Sequence, residues 1–244
     1  MKKLLITVLA LSLIFAFSAV GLAQTYTVGT SAGFPPFEYV EDGEIVGFDI
    51  DLMKAIGEEM GFNVEFQDIA FDSLIPALKT GNIDIVAAGM TITEQREQAV
   101  DFTDSYYSAN QSVIVQEDSE MNISVLYGDH DISVQTGTTG DLWVTENLKD
   151  QGILTGKVQR YDTFVLCVSD LVNGNVDAVV LDEPVAQRYA KTRPVEIVGV
   201  IVTGENYGLA VNEGNTELLD TLNEGLERVK ESGKMDELIE KHFQ

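Results

Sequence analysis

"LKTGNIDIV" (residues 78–86) returns as "LVNGNVDAV" at 171–179, and both fit L-x-x-G-N-[IV]-D-x-V. Each copy reads as the end of a helix, a glycine stop and the start of a strand. Upstream of each copy lies a strand-like run that ends in Thr, "TVGT" (27–30) and "SVQT" (133–136). The same order appearing twice, a domain's length apart, predicts two lobes of similar topology and not a short-period solenoid.

Further runs extend this pattern. Strands are expected over 25–30, 63–67, 83–88, 132–136, 176–181 and 207–211. Amphipathic helices fall between them. Leu52, Met53, Ile56 and Met60 share one helical face before Gly61, and Leu74, Ile75 and Leu78 do so before Gly81. Phe164, Val168, Leu171 and Val172 precede Gly174, and Leu218, Leu219, Leu222, Leu226 and Val229 form a longer stripe that ends near Gly233. Strand–helix alternation predicts an α/β fold with largely parallel sheets.

The first 23 residues read as a secretory leader. Lys2 and Lys3 precede the apolar run "LLITVLALSLIFAFSAV", and small residues at Gly21 and Ala23 place cleavage after Ala23. No cysteine follows that site closely enough for lipid attachment, and direct membrane insertion after cleavage is not expected. The sole cysteine, Cys167, lies in the apolar "FVLCVSDLV", which predicts a small buried side chain and excludes an internal disulfide. The chain carries 40 acidic against 15 basic residues, a formal charge of −25. Such a surface repels nucleic acid and anionic lipid. The two histidines, His130 and His242, are far apart, so no metal constellation emerges, and no cofactor is expected. "GTTGD" (137–141) lacks the Gly-Lys-Ser/Thr ending of a phosphate-binding loop.

Ligands of open α/β sheets bind beyond the carboxyl ends of the strands. In the first half those ends lead into Ser31, Gly33 and Phe34, and into Gly89, Met90, Thr91 and Arg96. In the second half they lead from Gln135 into Thr138 and Thr139, and into Asp182. A cation in one half and an anion in the other would clamp a zwitterion. Arg96 can grip an α-carboxylate with two parallel N–H bonds. The "GTTGD" amides and the threonine hydroxyls add donors, and Asp182 with the Gly89 carbonyl suits an α-ammonium. Phe34 and Phe71 offer flat apolar walls. Taken singly, each residue has a plainer reading: Arg96 a surface arginine, Asp182 a helix N-cap, the phenylalanines core.

"GFDIDLMKAIGEEM" (47–60) resembles the signature of the periplasmic polar amino acid-binding proteins of ABC transporters, bacterial extracellular solute-binding protein family 3. "FPPFEY", "FDSLIPALKTGNIDIVAAGMTITEQR", "VDFTDSYY", "VQTGTTGD", "VDAVVLDEPVA" and "YGLAVNEGNTELLDTLNEGL" resemble that family in order, over nearly all of 26–243. The resemblance implies a two-lobed periplasmic-binding-protein-like fold, with crossing strands near 109–112 and 200–206. The implied layout is a leader over 1–23, a discontinuous first lobe over 24–110 and 203–244, and a second lobe over 111–202. It also implies a monomer that closes around one polar or basic L-amino acid in the periplasm and delivers it to an inner-membrane ABC permease. By the same resemblance Arg96, Thr91 and the Thr138/Thr139 loop take the α-carboxylate, Asp182 and Gly89 the α-ammonium, and Phe34 and Phe71 the side chain. Ser31 and Gln135 are uncharged where members carry an acid or a lysine that reads the side chain, so these two positions do not point to arginine, lysine, histidine or glutamine.

Two other functions fit the same fold. A cyclohexadienyl dehydratase-like enzyme would need a carboxyl general acid, for which Glu183 is the candidate. A soluble sensor for a membrane receptor would use the same ligand chemistry.

Overall fold

The computed structural model describes residues 23–243, so residues 1–22 of the leader expected over 1–23 lie outside the described residues. Along the chain run β1 (Thr25–Thr30), β2 (Gly33–Phe34), β3 (Glu38–Glu41), β4 (Glu44–Val46), α1 (Phe48–Met60), β5 (Asn63–Asp68), α2 (Phe71–Lys79), β6 (Ile85–Val86), α3 (Glu94–Glu97), β7 (Val100–Phe102) and β8 (Tyr107–Gln116). Then come β9 (Ile132–Gln135), α4 (Thr139–Val144), β10 (Val158–Tyr161), α5 (Phe164–Val172), β11 (Ala178–Asp182), α6 (Glu183–Thr192), β12 (Val195–Tyr207), β13 (Ala210–Asn212), α7 (Thr216–Glu231) and α8 (Lys234–Phe243).

Two five-stranded sheets have the orders β5-β1-β6-β13-β7 and β10-β9-β11-β8-β12. In each, a first strand is flanked by two parallel neighbours, and two antiparallel pairings follow. The sequence echo is therefore an echo of topology, and its residues do matching work. Gly81 and Gly174 end their helices with φ of 71° and 72°, a left-handed conformation that costs glycine little. Asp84 Oδ2 accepts the Thr27 N–H at 2.8 Å, and Asp177 Oδ2 accepts the Asp131 N–H at 2.8 Å. Each aspartate ties the incoming strand to the lobe's first strand.

The amphipathic faces pack as their spacing predicts. Leu52, Met53 and Ile56 of α1, Leu74 and Leu78 of α2, Phe164, Val168 and Leu171 of α5, and Leu218, Leu222, Leu226 and Val229 of α7 are all buried. Cys167 is buried, and burial pushes its thiol up to about 12, as befits a small hydrophobe. The strand expected over 83–88 is shorter than its apolar run. Regular pairing covers Ile85–Val86, although Asp84 and Ala87 still donate to Thr27 and Gly29 at 2.8 and 3.0 Å. Beyond Ala87 the chain leaves the sheet to build the site. The run 207–211 is split: Tyr207 ends β12, and β13 begins at Ala210.

The chain passes between lobes on β8 and β12, which pair antiparallel from Val195↔Gln116 to Tyr207↔Tyr107. They extend well beyond the crossing segments expected from the resemblance. Their far ends meet the first lobe, where Tyr106 N–H donates to the Tyr207 carbonyl at 3.0 Å. This is the two-lobed periplasmic-binding-protein architecture, with a first sheet assembled from both ends of the chain. Among the described residues no helix is long and apolar enough to cross a membrane.

Candidate functional site

The carboxyl ends of β1, β6, β9 and β11 converge on a cavity between the lobes. From the first lobe Ser31, Phe34, Phe71, Gly89, Thr91 and Arg96 line it. From the second come Gln135, Thr138, Thr139 and Asp182. Of the residues expected from sequence to contact the ligand, Met90 alone does not. Its side chain is buried in the first lobe's core with Leu74, Leu78 and Val86.

Arg96 is buried, so the surface-arginine reading does not hold. It lies on the four-residue α3, whose N-cap Thr93 accepts the Arg96 N–H at 3.2 Å. The guanidinium donates to the Thr91 carbonyl at 2.7 Å and, across the cleft, to the Gly137 carbonyl at 3.1 Å. It sits over Phe71, 5.2 Å from the ring centroid. Burial lowers its pKa, and the charges of Glu205 and Asp182 oppose that shift. Two of its five N–H donors are occupied this way, which leaves a fork for an incoming carboxylate.

Asp182 occupies the backbone N-cap position of α6, yet its side chain makes no capping bond. It accepts the Tyr207 hydroxyl at 2.5 Å instead. Burial, followed by the charge of Glu205, pushes its pKa up to about 7, against the lowering effect of the Tyr207 bond. Phe34 stacks on Phe164 of the second lobe at 5.7 Å, so it packs across the cleft as well as walling the cavity. Gly89 has φ 51°, and a Cβ there would lie 2.5 Å from Phe34 Cε1. Its N–H is held at 2.8 Å by Asp49, the first acid of "GFDIDL", which also accepts the Tyr106 hydroxyl at 2.7 Å. Burial pushes Asp49 up to about 6.

The polar groups of the second lobe are committed in ways that sequence does not reveal. Gln135 donates to Ser31 across the cleft at 3.3 Å and to the Asp162 carbonyl at 2.8 Å. The Thr138 hydroxyl donates to the Gln135 carbonyl at 2.9 Å and accepts the Asp141 N–H at 3.2 Å. The Thr91 and Thr139 hydroxyls both donate to Glu205, each at 2.6 Å. A hydroxyl has one hydrogen to give. Donation to an anion from these threonines therefore falls to their backbone N–H groups. Glu183, the candidate general acid, is bonded to Gln187 and Asn110 at 3.2 and 3.5 Å and does not line the cavity. Among the described residues no cluster of potential ligands could hold a metal ion.

Sequence reasoning missed two residues of the cavity, Ala88 and Glu38. Glu38, the first residue of β3, is fully buried and lines it, and neither carboxylate oxygen has a hydrogen-bond partner among the described residues. Burial raises its pKa well above the ordinary value, and the nearby charges of Asp49, Asp182 and Asp68 add to this. A signal was present: an acid enclosed by aromatic residues in "FPPFEY", in a run otherwise fit for a core.

Comparison with known proteins shows the family and the fold of the chain. The model of the bacterial extracellular solute-binding proteins, family 3, matches residues 26–244. A "Putative ABC transporter arginine-binding protein 2" of Escherichia coli (strain K12) is 38% identical, with all of both chains covered. A "Probable histidine-binding protein" of Neisseria gonorrhoeae is 36% identical over 93% of this chain and 86% of its own. The solved structure of an ancestral arginine-binding protein bound to arginine superposes with a TM-score of 0.85 at 43% identity, covering 92% of this chain and 100% of that one. The chain belongs to the bacterial extracellular solute-binding proteins, family 3, and is an extracytoplasmic binding protein, not an enzyme.

Proposed function

We propose that the protein captures an L-amino acid with a cationic side chain, arginine foremost, by closing its two lobes around it. The observation that carries this reading is Glu38, a buried carboxylate in the cavity wall with both oxygens unpartnered. A buried anion is costly unless paired, and a guanidinium offers two parallel N–H bonds to such a group. Arg96 then takes the α-carboxylate, and Asp182 with the Gly89 carbonyl takes the α-ammonium. Phe34 and Phe71 flank the aliphatic stem. Glu38 supplies the acid that Ser31 and Gln135 lack. Relatives named for arginine and histidine support the same class.

Family membership supports the rest of the proposed reading. The leader is removed after Ala23, and the protein works as a monomer in the periplasm and hands its cargo to an ABC permease. The lobes divide near residues 110 and 202. The test is thermal shift of the ligand-stripped processed protein against the twenty L-amino acids and L-citrulline, arginine's uncharged analogue. A ligand that binds only the native state raises the melting point. Arginine should give the largest shift and citrulline little. Equal shifts from the two would refute a cationic side-chain subsite.

A further inference from the structure

The crossing strand β12 carries a buried carboxylate that the amino-acid reading leaves without a task. Glu205 pairs in register with Ala109 of β8, just past a strand irregularity in which Gly204 takes φ 64°. It is rooted in β12, the edge strand of the second sheet, where that strand runs on to connect the lobes. Its Oε2 accepts the Thr91 hydroxyl of the first lobe and the Thr139 hydroxyl of the second, both at 2.6 Å. Its Oε1 accepts Gln111 Nε2 and the Thr203 hydroxyl, both at 3.0 Å. Four donors on two oxygens fill most of the acceptor capacity of an ionised carboxylate. Hydrogen bonds to an ionised acceptor are among the strong ones.

These partners divide into two sets. Gln111 and Thr203 belong to the crossing strands themselves, so the lobes can move without breaking those bonds. Thr91 and Thr139 belong to opposite lobes, and both reach one oxygen only when the lobes are together. The same two threonines line the ligand cavity. We propose that Glu205 is a positioning residue that clasps the closed state: it joins the lobes through Thr91 and Thr139 and turns both hydroxyl hydrogens away from the cargo. The cavity then sees these hydroxyls as acceptors, and the backbone amides and Arg96 are left to hold the carboxylate. The clasp prolongs retention of the cargo without reading its side chain. It rests on the two-lobed capture reading but not on which amino acid is carried.

The experiment compares wild type with Glu205→Gln, Glu205→Ala and Thr139→Val in the processed protein. Thr139→Val keeps the volume of the side chain, removes one arm of the clasp together with the acceptor for Gln111 Nε2 at 3.3 Å, and changes no residue of the crossing strands, so it remains informative if a Glu205 variant folds poorly. Fluorescence energy transfer between dyes at Lys79→Cys and Asp150→Cys, one exposed site on each lobe, reports the closed fraction with and without L-arginine. Stopped-flow fluorescence of Trp143, the sole tryptophan and a neighbour of Glu205 in the outer groove, reports the rates. The expected result is a lower closed fraction in every variant and dissociation of L-arginine faster by about tenfold or more. The association rate should stay within about threefold, and the affinity ratio of arginine to other amino acids should be preserved. Adding Thr139→Val to Glu205→Gln should cost less than the two single effects combined. Folded variants with wild-type closed fraction and dissociation rate would overturn the clasp. If L-arginine fails to close wild type, the cargo reading falls, and the ligand-free closed fractions still decide the clasp.

Discussion

Tyr207 donates its hydroxyl to Asp182 at 2.5 Å, joining the end of the crossing strand β12 to the end of β11 in the second lobe. The bond orients the carboxylate that faces the cavity, and burial of the pair gives the site its sensitivity to protons. Burial pushes the Asp182 carboxyl up to about 7. Glu38 is raised well above its ordinary value for the same reason.

Acid should therefore weaken binding. A cationic ligand requires both carboxyls ionised, so its capture releases protons. Affinity for arginine should fall below about pH 7, by about tenfold per pH unit for each carboxyl that must give up its proton. The sign for stability is opposite. Because the folded pKa of Asp182 lies above the unfolded value of about 3.9, its contribution to the ligand-free fold is fully present below about pH 4. That contribution is lost as pH rises through about 7. Calorimetry from pH 5 to 8 in buffers of differing ionisation enthalpy would measure the released protons. Asp182→Asn should flatten both trends, and a pH-independent affinity would contradict the assignment.

Arg96→Ala should reduce affinity by roughly 3–5 kcal/mol, since the ligand carboxylate would be buried without its counter-charge. Arg96→Lys should recover only part of this, because an ammonium cannot make the paired bonds of the guanidinium. Isothermal titration gives the affinities, and circular dichroism verifies that the fold persists. Near-native binding in Arg96→Ala would remove this residue from the carboxylate subsite.

Glu38→Gln should change selectivity rather than binding in general. Arginine should lose about a hundredfold in affinity, the scale of one buried charge-assisted bond pair, while citrulline and glutamine hold or gain. At pH 8 the ligand-free variant should melt no lower than wild type, because an unpaired buried acid has been removed. A uniform loss across all amino acids would assign Glu38 to the fold instead.

Gly89→Ala should damage the site from the backbone. The residue sits at φ 51°, and its new methyl would lie 2.5 Å from Phe34 Cε1. Strain of about 1–3 kcal/mol corresponds to a fall in melting temperature of roughly 2–12 °C for a chain of this size, with weaker binding as Phe34 is displaced. Differential scanning calorimetry checks the first effect. An unchanged melting point would mean the loop relaxes freely.

Much of the fold was legible because its signals are local. The L-x-x-G-N-x-D-x-V motif specifies a helix end, a left-handed glycine and a strand start within nine residues, and its aspartates, Asp84 and Asp177, tie the strands of each lobe together. Helical and strand periodicity report which face of an element is buried, so the cores around Leu52, Leu74, Phe164 and Leu222 followed directly. The crossing strands were legible only through family resemblance. Their alternation is blurred where they leave one lobe's core for the other's surface. Met90 was assigned to the cavity along with its neighbours because sequence position alone does not show to which side a loop residue turns.

By itself, the sequence determined two lobes, a cavity at the strand ends, and the placement of Arg96 and Asp182 at equivalent ends of the two halves. Tertiary structure alone decided how the polar groups are spent. Thr91, Thr139 and Gln111 meet Glu205 from positions up to 114 residues apart, and Glu38 ends among aromatics and acids with no donor within reach. A hydrogen bond depends on two groups meeting at about 3 Å with the right angle. Chain patterns encode which side of an element is buried, but not which distant group will be waiting there.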